Sequence, residues 1–131
     1  MDFFRKIFRP LHSGAPPRVV SSLTSHFKGV SGVEWSRHNE LWEAIFFDEE
    51  ITKIARFDVD GKLLEYRVNI SPDAIPSPIY EAATGDWEVM NCIAIYSSNK
   101  LDYELIVRDT NLIRFQMWVD SLGNRVKLEK L

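Results

Sequence analysis

A chain of 131 residues, 45% hydrophobic and 27% charged, has the size and composition of one globular domain. Its 12% aromatic residues exclude a mostly disordered chain, and its longest apolar run, residues 92–96, is far too short for a helical membrane span. A single cysteine excludes an intrachain disulfide framework and a paired-cysteine zinc or redox motif, and a net charge of −3 with scattered Lys and Arg argues against a nucleic-acid groove.

Phe4, Ile7, Phe8 and Leu11 fall on one helical face, with Arg5, Lys6 and Arg9 around the rest. This predicts a short helix or arm that packs on the domain or on a neighbour. Membrane-surface anchoring is the lesser reading, and membrane contact is not expected. No stretch of about 7–15 apolar residues precedes a small-residue cleavage site, so a cytoplasmic location is expected. Residues 12–17 carry Gly14 and two prolines and read as a linker, which makes 1–16 an arm and 17–131 the domain.

Pro16 and Pro17 can open a helix, and Val19, Val20, Leu23 and Phe27 recur at helical spacing. The pattern predicts a helix over about 17–28, ended near Gly29 and Gly32. Strand-like runs follow over 33–36, 41–48 and 51–59, then an Asp60-Gly61-Lys62 hairpin turn. Leu64, Tyr66, Val68 and Ile70 alternate with Glu65, Arg67 and Asn69, the pattern of a half-buried strand. Residues 71–78 hold three prolines and restart a helix, with Ser77 as the expected cap and Pro78 at its first position. Ile79, Ala82 and Ala83 give its buried side and Gly85 its end. Further strands are expected over 87–96, 101–108, 112–119 and 124–130.

The two halves, 17–70 and 71–131, repeat one plan of a helix and four strands. Trp42-Glu43-Ala44-Ile45 matches Tyr103-Glu104-Leu105-Ile106, and Phe57-Asp58-x-x-Gly61 matches Val119-Asp120-x-x-Gly123. Half the chain alone would have a marginal core, and joining the halves in one sheet removes exposed edges. Connections this short require antiparallel pairing. The expected fold is α+β: tandem helix-plus-four-strand repeats forming one curved antiparallel sheet of about eight strands, with two helices on one face.

The chain resembles the PepSY-like proteins, also described as β-lactamase-inhibitor-like. The residues after the first helix, Gly29-Val30-Ser31-Gly32-Val33-Glu34-Trp35, are similar to that family's Phe-Pro-Gly-Ala-x-x-x-x-Trp segment, with Lys28 where proline is usual. Leu41-Trp42-Glu43-Ala44-Ile45-Phe46 resembles its Tyr-Glu-Ala-x-Phe strand, and residues 55–65 resemble its Phe-Asp-x-x-Gly-x-x-x-Glu hairpin. Ile75-Pro76 resembles the Leu-Pro that opens its second helix. The resemblance covers about 17–131. It implies one curved sheet of tandem units, no enzyme activity and no cofactor. Its members are mostly exported, which makes the periplasm the alternative location.

The residues offer little chemistry. Asp58-x-Asp60-Gly61 is a fragment of a calcium loop without its remaining ligands, and reads as a hairpin turn. His12, His26 and His38 have no metal-ligand spacing, and Cys92 reads as a small buried hydrophobe. Glu34, Glu40, Glu43, Glu49 and Glu50 read as solvated surface. No catalytic residue, metal ligand or cofactor site is expected.

The strand faces say more. Trp42, Ala44 and Phe46 share a face with Tyr103, Leu105 and Val107, joined by Tyr66, Val68, Phe115 and Met117, and this face should meet the helices. The opposite face mixes Glu43, Arg56, Arg67, Glu104, Arg108, Arg114 and Gln116 with Ile45, Phe47, Ile93, Ile95, Ile106 and Trp118. Left uncovered, these apolar groups form an interaction patch. The expected function is a non-catalytic module, inhibitor-like in kind, that binds an unknown protein or peptide through Ile45, Phe47, Ile106, Arg114 and Trp118. The alternative is a self-associating structural protein that buries the same face in a homodimer. No nucleic acid is expected as a partner.

Overall fold

The structure, a computed structural model, describes residues 14–131. The helix expected around Phe4, Ile7, Phe8 and Leu11, and its membrane reading, lie outside the described residues. Eight antiparallel strands form one open sheet in sequence order, with two helices, so the fold is α+β. The elements are α1 (Pro17–His26), β1 (Val30–His38), β2 (Leu41–Asp48), β3 (Ile51–Phe57) and β4 (Leu63–Ile70). A 3-10 turn (Pro72–Ala74) then leads to α2 (Ser77–Ala83), β5 (Glu88–Ser97), β6 (Lys100–Arg108), β7 (Arg114–Asp120) and β8 (Arg125–Lys130). The chain divides into two compact units between Arg67 and Val68, inside β4 and close to the repeat boundary.

In the first unit α1 buries Val19 and Leu23 completely, and with Phe27 they meet Trp42, Ala44, Phe46, Ala55 and Phe57. Each such aliphatic side chain contributes about 1.5–3 kcal/mol of transfer free energy. The helix stops at His26, short of the expected end, because Phe27 turns extended (φ −127°, ψ 124°). That turn carries the Phe27 ring to within 5.0 Å of the Phe46 and Tyr66 rings. Strand β1 is longer than its alternation suggests. Its register shifts between Ser31 and Glu34, where Gly32 takes φ +61°, and the bulge breaks the two-residue period.

In the second unit α2 lays Ile79 and Ala83 over Cys92, Ala94, Tyr103, Leu105, Val107, Met117 and Val119. Ser77 does not cap this helix. It already lies in the first turn, Pro76 precedes it, and the Pro76 carbonyl accepts the N–H bonds of Ile79 and Tyr80 at 3.0 Å. The core-facing alternation of β2, β6 and β7 is as the sequence predicts.

One loop is built three times. Asp58, Asp109 and Asp120 each take two backbone N–H groups on Oδ1 at 2.9–3.0 Å, from the residues two and four positions on. The residue three positions on has positive φ in each copy: Gly61 (91°), Leu112 (65°) and Gly123 (91°). Asp58 Oδ1 is therefore engaged by its own turn. Gly61 and Gly123 also pass under a helix. A Cβ on Gly61 would lie 2.8 Å from the Arg18 carbonyl oxygen, and one on Gly123 2.6 Å from that of Pro78. Arginine bonds close each junction, Arg18 Nε to the Val59 carbonyl (2.7 Å) and Arg125 Nε to the Ala82 carbonyl (2.8 Å).

Candidate functional site

The face of the first unit that carries Ile45 is built by pairing Ile45 with Glu34 of β1 and Ile54 of β3, and Glu43 with Ser36 and Arg56. Ile45 is only 1% exposed. It is buried, which corrects the expectation that it lines an open patch. Phe47 is half-buried, with its ring against the Gly32 bulge.

Glu43 is also a correction, since it is buried at 3% exposure and not a solvated carboxylate. Arg56 Nε donates to Glu43 Oε2 at 2.7 Å, and Arg56 Nη1 reaches Glu65 Oε1 at 3.2 Å. Arg67 Nε holds the other Glu65 oxygen at 3.1 Å. Burial alone would lower the Arg56 pKa, but the hydrogen bond and charge of Glu43, with those of Glu65, leave it raised. His38 Nε2 lies 3.8 Å from Glu43 Oε1 and 3.2 Å from Ser36 Oγ. His38, Asn39, Leu41, Glu43 and Arg56 line an open cavity of about 290 Å³. Its charged groups are spent on one another, so this is a structural network.

In the second unit Glu104 stands opposite Trp118 and Ile106 opposite Gln116, so Ile106, Trp118 and Arg114 share one face. Trp118 is half-buried and its indole N–H donates to Glu104 Oε1 at 3.1 Å. The Lys127 ammonium sits 4.9 Å from the Trp118 ring centroid. A cavity of about 330 Å³ opens beside the ring, with Ile95, Lys100, Asp102, Val126 and Lys127 in its walls. Arg114 is exposed, lies opposite Arg108 and makes no side-chain hydrogen bond or ion pair among the described residues; Arg108 is held by Glu88 at 2.6 Å. Arg114 is four residue steps along the strand from Trp118, about 13 Å, and stands outside the cavity.

Of the expected set only Trp118 lines this cavity, and Ile106 shares its face, opposite Gln116. The structure adds Val126 and Lys127, which the sequence reading missed. The Asp120 loop sets Arg125 opposite Val119, and the register shift that follows sets Lys127 opposite Trp118. Among the described residues no group of three or more His, Cys, Asp and Glu is placed to hold a metal ion. Cys92 is buried, and burial pushes its thiol up to about 11, which keeps it protonated and unreactive at neutral pH. The surface around Trp118 offers an aromatic wall, aliphatic neighbours and flanking charges, the chemistry of a contact surface.

The fold has solved counterparts. A DUF2874 family protein from Bacteroides uniformis superposes with a TM-score of 0.79 at 20% identity, over 88% of this chain and 89% of its own. A BLIP-like protein from Bacteroides fragilis does so with a TM-score of 0.76 at 12% identity, over 92% of this chain and 91% of its own. The fold is BLIP-like. A candidate periplasmic protein from Bacteroides eggerthii shares this BLIP-like fold, with a TM-score of 0.78 at 18% identity over 88% of each chain. No family model and no curated protein matches the sequence. At these identities the likeness concerns the fold, and function has to be argued from the surface.

Proposed function

We propose that the protein is a non-catalytic, inhibitor-like binding module that takes a protein or peptide partner on the second unit's face around Trp118. The observation that carries this reading is the cavity of about 330 Å³ beside a half-buried tryptophan, walled by Ile95 and Val126 and flanked by Lys100, Asp102 and Lys127. The BLIP-like and DUF2874 neighbours support a module of this kind, and PepSY-like membership is the finer form of the reading. The Bacteroides eggerthii neighbour supports the periplasm over the cytoplasm as the location. Self-association through the same face is the alternative.

The test is capture from an extract of the source organism on immobilised wild-type and Trp118→Ala chains. A partner held by the wild type should be lost or weakened at least about tenfold by the variant, as for a binding hot spot. The thermal midpoint should move by no more than a few degrees. A large loss of stability would place Trp118 among the structural residues, and identical capture by both chains would remove it from the site.

A further inference from the structure

Strand β8 ends the strand order, and all six of its residues, Arg125–Lys130, are exposed. An edge strand presents unpaired N–H and C=O groups that can template another strand. The register identifies them. Lys130 lies opposite Phe115 and Leu128 opposite Met117, and the Leu131 N–H donates to the Arg114 carbonyl at 3.0 Å. Residues 127, 129 and 131 therefore turn their backbone groups toward β7, and alternation turns those of Leu128 and Lys130 outward.

An antiparallel second copy must meet these outward groups, which leaves two-fold axes at residue 127, 128 or 129. An axis at 127 sets Lys127 against itself, and one at 129 sets Glu129 against itself. Like charges directly opposite are destabilising. An axis at Leu128 sets Lys127 opposite Glu129 of the second copy twice, and Leu128 against its own counterpart. Within one chain Lys127 Nζ and Glu129 Oε1 are already 2.7 Å apart on one face. The second copy would close four charges into a ring of alternating sign. The other edge, β1, is interrupted by its bulge between Ser31 and Glu34, which makes it the poorer template.

We propose that the protein pairs with a second copy of itself through β8, antiparallel, on a two-fold axis at Leu128. This contact shares Lys127 with the Trp118 surface but is made along the β8 edge. A single strand pair buries little area and belongs with weak, transient interfaces, so the dimer forms only at high protein concentration.

Sedimentation of the full chain from about 10 μM to about 1 mM reads the proposal. The mass should rise from 15.2 kDa toward twice that value. Glu129→Lys and Lys127→Glu should each weaken self-association about tenfold or more, since each sets like charges opposite at two places. An equimolar mixture of the two variants should dimerise again, because every apposed pair is then of opposite sign. Both residues are exposed, so circular dichroism should show unchanged folding. Trp118→Ala should leave this dimer intact, which separates it from association through the face. A wild type that stays monomeric throughout, or a dimer that both single variants preserve, overturns the proposal.

Discussion

Leu112 holds the left-handed position that glycine holds in the other two Asp loops, at φ +65°, with 67% of its surface exposed. A Cβ in that conformation costs about 1–2 kcal/mol, and so exposed a side chain recovers little of it by burial. Leu112→Gly should therefore stabilise the protein by about 0.5–1 kcal/mol, part of the gain being offset by the freer unfolded chain. Urea unfolding would show a higher midpoint at unchanged slope. A lower midpoint would mean that the leucine makes contacts worth more than its strain. Ile45 and Glu43 teach a related lesson about single residues. Alternation places both on the face away from α1, but alternation gives a direction and not an exposure. Ile45 at 1% and Glu43 at 3% exposure show the difference.

The Asp loops make an element-level prediction about acid. Asp120 is held below the usual carboxylate range, first by the Asn124 backbone N–H; desolvation opposes this as the second-largest effect, and the Asn124 side chain and the N–H groups of Leu122 and Gly123 lower it further. A depressed folded pKa means that the contribution is complete above the ordinary carboxylate value and is lost as pH falls through the folded value. The Asp120→Ala variant should melt lower than the wild type near neutrality, and the gap should narrow as pH falls from about 5 to about 2. A gap that stays constant across this range would remove the carboxylate's role. The same loops show what the sequence makes legible. The Asp-x-x-Gly match between Asp58 and Asp120 is visible in the residues, and the turn residues at both ends of β2 give its full length. The true length of β1 was hidden by its bulge. The Trp118 cavity was half hidden for a similar reason: a register shift at the start of β8, opposite Val119, breaks the period that would have pointed to Val126 and Lys127.

For the whole molecule, the tandem repeat made the α+β class and the eight strands legible, since each half repeats the hydrophobic pattern that its helix needs. Each unit has its own core cluster, and the two clusters share no residue. Val19→Ala in the first should cost about 2 kcal/mol and Ile79→Val in the second about 0.5–1.5 kcal/mol. Their combination should be additive within about 0.5 kcal/mol in urea unfolding, whereas a departure of more than about 1 kcal/mol would show that the cores are coupled. The glycine junctions under the helices have a further consequence, for the order of assembly. Arg18 meets Val59 across 41 residues, and Arg125 meets Ala82 across 43. Closing so long a loop costs entropy that neighbouring hairpins do not, so each repeat should zip its strands first and seat its helix last. The helix that each repeat makes first in sequence should then be the last piece to lock, with the glycine toward the far end of that repeat as its latch.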